Sequence, residues 1–145
     1  MPTAEVQRSL HSLIEGDSDL LENDSSEWAI AHRIAVYLET EFPTWNVDCE
    51  LNRQGSNGDI KRQSDGHRVR PDISVHQRTL PDLASNLLVV ELKKADVESD
   101  FAKLIDFTSP PAERRTFQYQ YRLSIELGDP PNLIWFANGE RIPQP

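Results

Sequence analysis

The run Leu87-Leu88-Val89-Val90-Glu91-Leu92-Lys93-Lys94 constrains the fold more than any other stretch of this chain. Its apolar half reads as a central, buried β-strand, and it ends on two opposite charges. Side chains alternate faces along a strand, so Leu88, Val90 and Leu92 point one way and Glu91 and Lys93 the other. Upstream, Arg70-Pro71-Asp72-Ile73-Ser74-Val75-His76 also reads as extended. Val69, Ile73 and Val75 fall on one side of it, and Arg70, Asp72 and Ser74 on the other. Pro71 has no N–H and belongs at a bulge or where that donor faces no partner. Paired, the two strands would bring Asp72 and Glu91 to one metal ion.

Around this pair the patterning predicts a helix from Thr3, capped by Thr3, with Val6, Leu10, Leu13 and Ile14 on one face and Gly16 at its end. This helix is expected to dock on its own domain or on another subunit. Gly16-Asp17-Ser18-Asp19 reads as a linker. A stronger helix is predicted from near Asp24 to about Phe42, its apolar stripe being Trp28, Ala31, Ile34, Ala35, Leu38 and Phe42. Pro43 stops it. Within Asp24-Ser25-Ser26-Glu27, capping-box spacing gives Glu27 a structural role at the third position.

Trp45 to Leu51 alternates with period two, predicting a strand with Trp45, Val47, Cys49 and Leu51 towards the core. The Gly/Asn/Ser/Asp-rich excursion from Gln54 to Gly66 is a loop, either a solvated connection or a phosphate-contacting arm. A helix is expected over 97–107, ended by Ser109-Pro110-Pro111. Strands follow near 120–127 and 133–137, and Asn138-Gly139 turns the chain into a short return strand. Three successive strands without intervening helices predict an antiparallel meander.

At 145 residues the chain suits a single domain, with residues 1–20 as a possible accessory helix. No apolar run approaches the roughly 20 residues of a membrane span. The single cysteine, Cys49, excludes an internal disulfide; it reads as a buried, inert thiol and suits a reducing, cytoplasmic setting. A net charge of −9 argues against a nucleic-acid partner, since phosphate binding usually leaves a basic footprint. The acid, however, is concentrated at the front. Residues 1–52 carry eleven acidic and two basic side chains, whereas 53–70 carry five basic ones (Arg53, Lys61, Arg62, Arg68, Arg70) against Asp59 and Asp65. The four histidines show no zinc spacing, and His76 reads as a surface or packing residue near the site. Alternating Tyr119 and Tyr121 read as packing aromatics rather than a stacking platform.

Pro71-Asp72 followed by Glu91-Leu92-Lys93, with Glu27 on a preceding helix, resembles the motif of the PD-(D/E)XK nuclease superfamily. The resemblance implies an α/β (α+β) fold with a restriction-endonuclease-like core. In it a central mixed β-sheet with an antiparallel three-strand meander is flanked by helices in the order α-α-β-β-β-α-β-β. It also implies a Mg²⁺-dependent nuclease acting on nucleic acid, DNA before RNA, with Mn²⁺ as a substitute. Asp72, Glu91 and the Leu92 backbone carbonyl would bind the metal, joined directly or through water by Glu27. Lys93 would act as general base or as charge stabiliser. Arg53, Lys61, Arg62, Arg68, Arg70 and Lys94 are the candidate nucleic-acid contacts. The alternative is an inactive binding or scaffold module of this fold in a larger defence, repair or mobile-element complex. A homodimer, or a protein partner docked on the acidic N-terminal region, is compatible with either.

Overall fold

The structure, a computed structural model, describes residues 1–23, 26–50, 53–54, 59–60, 71–78, 80, 82–94, 108 and 118–144. In chain order they form helices α1 (Thr3–Gly16), α2 (Ser18–Glu22) and α3 (Glu27–Glu41), then strands β1 (Asn46–Cys49), β2 (Arg53–Gln54), β3 (Asp59–Ile60) and β4 (Ile73–His76). A 3-10 turn (Leu83–Ser85) leads into β5 (Asn86–Lys94), followed by β6 (Tyr121–Leu127), β7 (Asn132–Ala137) and β8 (Glu140–Ile142). The fold is mixed α+β. One six-stranded sheet runs in the order β1-β4-β5-β6-β7-β8, and β2 pairs with β3 separately, inside the region read as a loop.

β5, which carries the run from Leu87 to Lys94, is central. β4 and β6 flank β5, the first antiparallel and the second parallel. β1, β4 and β5 make the expected meander. A parallel pair requires a crossover of a dozen or more residues, which residues 95–120 supply; the helix expected over 97–107 lies outside the described residues. At the other end Asn138 and Gly139 both take positive φ (50° and 76°), the conformation a two-residue type I′ hairpin needs.

The hydrophobic core lies between the helices and one sheet face. Val6, Leu10 and Leu13 of α1 and Ile30, Ala31, Ile34, Ala35 and Leu38 of α3 pack in one cluster with Ile73, Val75, Leu88, Val90, Leu92, Leu123, Ile125 and Trp135. Thus α1 docks on its own domain. Gly16 allows this closely, because a Cβ there would come within 2.9 Å of the Tyr37 hydroxyl. The opposite face is buried as well, at Ser74, Val89, Arg122, Ser124, Ile134 and Phe136. Among the described residues no helix is long and apolar enough to cross a membrane.

Local expectations fail where a terminus competes with tertiary contacts. Thr3 is the first residue of α1 rather than its cap; Pro2 occupies the cap position and no side chain caps the helix. The Asp17–Asp19 stretch is not a linker, since α2 starts at Ser18 and Asp17 is held by Arg33 (3.0 Å) and by the Tyr37 hydroxyl. Trp28 leaves the apolar stripe and stands 71% exposed, although the other stripe residues, Ala31 to Phe42, are buried. Cys49 is exposed rather than buried.

Candidate active site

The site is built by register. Ile73 pairs with Val90 in the antiparallel ladder of β4 and β5, so Asp72, one residue before β4, comes opposite Glu91 and on its face. The ladder ends there in a specific way. Asp72 Oδ2 accepts the Leu92 N–H at 2.8 Å, satisfying a strand donor that the chain leaving β4 at Pro71 no longer serves. Lys93 follows on the same face as Glu91, half-buried, and no ion pair reaches it among the described residues. Lys94 points the other way. It lines an apolar groove with Leu10, Leu13, Ile125 and Leu127, away from Glu91 and Lys93.

The neighbouring strand completes this face. In the parallel ladder Glu91 faces Ser124, Val89 faces Arg122 and Lys93 faces Glu126. Arg122 is 1% exposed, and its guanidinium carbon lies 6.0 Å from the centre of the Phe136 ring. Burial pushes its pKa down to about 10, while the charges of Glu91 and then Asp72 pull it back up. Ser124 Oγ is buried with no hydrogen-bond partner among the described residues. Sequence reasoning passed over Arg122 and Ser124. The readable signal was the alternation of Arg122, Ser124 and Glu126 with Leu123, Ile125 and Leu127, which sets a polar row on the face of Glu91.

Towards the sheet edge, His76 Nε2 lies 2.9 Å from Asp48 Oδ2, and Arg78 Nε donates to the same oxygen at 2.7 Å. Burial alone would raise the Asp48 carboxyl, but the hydrogen bonds from His76 and Arg78 and the Arg78 charge outweigh it and hold the group well below the usual carboxylate range. His76 is therefore a buried partner of Asp48. Tyr119, also fully buried, donates from its hydroxyl to Ser74 Oγ at 3.2 Å, and burial pushes its phenol up. The aromatics here pack, as expected.

Glu27 joins less closely. Ser26 is the N-cap of α3, its side chain accepting the Ala29 N–H, so Glu27 is the first helical residue and not the third of a capping box. It does not line the cavity into which Asp72 opens. That cavity, about 240 Å³, is lined by Trp28, Ala31, His32, Cys49, Glu50 and Asp72. Glu50 was not foreseen. It takes a positive φ of 53°, uncommon for a residue with a side chain, and its N–H donates to the Asp72 carbonyl at 3.2 Å. The Cys49 thiol beside it is raised, by the water removed from around the sulfur first and then by the charges of Asp48, Asp72 and Glu50, so it is an unreactive thiol although exposed.

Lys61, Arg62, Arg68 and Arg70 lie outside the described residues, as does the Arg53 side chain. Among the described residues no group of three or more His, Cys, Asp or Glu side chains is gathered to hold a metal. What the register brings together is the two carboxylates of Asp72 and Glu91. That donor set suits a hard divalent cation that keeps several of its waters. Against family models, curated proteins and solved structures alike, the chain has no match.

Proposed function

We propose that this chain is a metal-dependent nuclease with a restriction-endonuclease-like core, hydrolysing phosphodiester bonds of nucleic acid, with DNA as the favoured substrate, in a reducing, cytoplasmic setting. The observation that carries the reading is the cross-strand position of Asp72 opposite Glu91, with Lys93 two residues on along the same face. Like charges directly opposite destabilise a sheet unless a cation lies by them; Arg122 lies beside both acids, and a divalent ion is the further cation this reading adds. Such an arrangement is expected where a cation is to be bound.

In this reading Asp72, Glu91 and the Leu92 carbonyl would hold Mg²⁺, or Mn²⁺ in its stead. The bound ion supplies charge neutralisation at the phosphoryl oxygens and a more acidic water. Lys93 orients the attacking water and offsets the charge that accumulates as the new P–O bond forms and the bond to the leaving oxygen breaks. The attacking water gives up its proton to solvent water, and the leaving oxygen takes one from solvent water. Arg122 supports Asp72 and Glu91 from β6, and Glu27, at the start of α3, would join directly or through water.

Glu91→Ala is the deciding variant: in a folded protein it should abolish Mg²⁺- or Mn²⁺-dependent cleavage of DNA, as should Asp72→Ala and Lys93→Ala. Undiminished cleavage by folded Glu91→Ala would refute the mechanism. One observation favours a second reading, a non-cleaving binding or scaffold module: the Asp72 carboxylate is already engaged by the Leu92 N–H. Calorimetric titration with Mn²⁺ separates the two, since the module takes up no heat and leaves single-stranded, duplex and branched DNA intact.

A further inference from the structure

The cavity that Asp72 shares with Trp28 has features the hydrolytic chemistry does not use. Its aromatic wall is Trp28, 71% exposed in the first turn of α3. An indole left in water on an otherwise buried stripe forgoes the packing that its neighbours Ala31, Ile34 and Leu38 obtain. Opposite in character is Glu50, an acceptor beside Asp72, and no Lys or Arg is among the described lining residues. His32 is the one lining residue able to carry positive charge, against the acids Glu50 and Asp72, so the cavity does not favour a phosphate. At about 240 Å³ it also falls below the roughly 300–1,000 Å³ of pockets that enclose a whole small ligand. It suits one ring system of a longer molecule.

We infer that this cavity takes an unpaired nucleobase of the substrate strand, stacked on Trp28, with the Glu50 carboxylate accepting from the base's exocyclic amine. Aromatic stacking accommodates any base, whereas a carboxylate selects one that presents an amine, as an acidic side chain does with the cytosine amino group. Cytosine, adenine and guanine fit, and thymine, which has no exocyclic amine, does not. Because a paired base hides both its faces in the stack, the strand engaged is single-stranded or locally opened. Asp72 lines this cavity just before β4, so a substrate strand that lodges its base here passes the edge of the sheet where Asp72 meets β5. The inference rests on the nuclease reading for the identity of the ligand, but its test does not depend on cleavage.

The measurement is binding of short oligo(dC), oligo(dA) and oligo(dT) to the full chain in EDTA, read by quenching of tryptophan emission and by anisotropy of a labelled strand. Trp28→Ala should weaken oligo(dC) binding roughly 5- to 150-fold, and Trp28→Phe, which keeps a ring, should recover most of it. Glu50→Ala should remove the preference for oligo(dC) over oligo(dT) while retaining the quenching. Affinity unchanged in Trp28→Ala, or oligo(dC) and oligo(dT) bound equally by the native chain, overturns the pocket. Free cytidine binding as tightly as oligo(dC) overturns the assignment to a nucleic-acid strand. A chain that cleaves with Mg²⁺ but shows no Trp28-dependent binding refutes the pocket and leaves the nuclease reading intact; Trp28-dependent binding without cleavage in Mg²⁺ or Mn²⁺ does the reverse.

Discussion

Single residues on the second sheet face carry charges that only neighbouring strands make tolerable. Arg122 is the clearest case, a buried guanidinium beside Glu91 and Asp72. Removing one member of a buried charge cluster leaves the rest uncompensated, a loss of several kcal/mol. Arg122→Met should therefore lower unfolding free energy by about 3 kcal/mol, with Glu91→Gln in the same chain restoring part of it in a double-mutant cycle. Strict additivity of the two would show that they do not interact. Asp48 makes a pH-dependent contribution of known sign. Its folded pKa is depressed, so the stabilisation is present above the ordinary aspartate value and is lost as pH falls towards the folded one. Asp48→Asn should cost about 2 kcal/mol at neutral pH, by weakening bonds to His76 and Arg78. In urea titrations the gap between the native chain and the Asp48→Asn variant should close below about pH 4, which is the ordinary range for aspartate.

Among the elements, α3 links core to candidate site. Its buried residues Ile30, Ile34 and Leu38 anchor it on the sheet, and its first turn presents Trp28 beside Asp72. The start of that turn is set by Ser26, whose side chain satisfies the otherwise orphan N–H of Ala29. Ser26→Ala should cost about 1 kcal/mol in chemical unfolding and should shift Trp28 emission, because the turn that carries the indole frays first. An unchanged unfolding midpoint would mean that water replaces the cap without loss. β5 is the matching element in the sheet. Its register with β4 aligns Asp72 and Glu91, and its register with β6 adds Ser124 and Arg122, so one nine-residue strand organises both sides of the face.

For the molecule as a whole, stability and site geometry share one core. Trp135, 1% exposed on β7, packs in the cluster that also holds α1, α3 and the apolar side of β5. Truncating it to alanine should cost about 3–5 kcal/mol. Such a loss, a large part of the roughly 5–15 kcal/mol typical of a domain, should appear as a much lower thermal midpoint of the whole chain rather than as a local change. The negative net charge is also a property of the whole, and under the proposed function it would bear on how a strand is held. A strand bound as proposed would meet carboxylates at Asp72, so contacts to bases rather than to phosphates would contribute most on the side of Trp28 and Glu50.

Periodicity alone determined much of this architecture: the alternation in β5, β6 and β7, the stripe of α3 from Ala31 to Phe42, and the turn at Asn138-Gly139 follow from side-chain geometry within a few residues. An acid on the polar side of each of two extended segments, Asp72 and Glu91, was also legible from alternation. Register was not legible. Whether Asp72 faces Glu91 or a residue two places away depends on contacts between segments far apart in sequence, and only the tertiary structure decides it. The same holds for Trp28, which its own helix assigns to the core but which stands exposed at the cavity shared with Asp72. Asp48 with His76, Arg122 beside Glu91, and Glu50 against Asp72 are likewise products of strand order, and no local pattern encodes strand order.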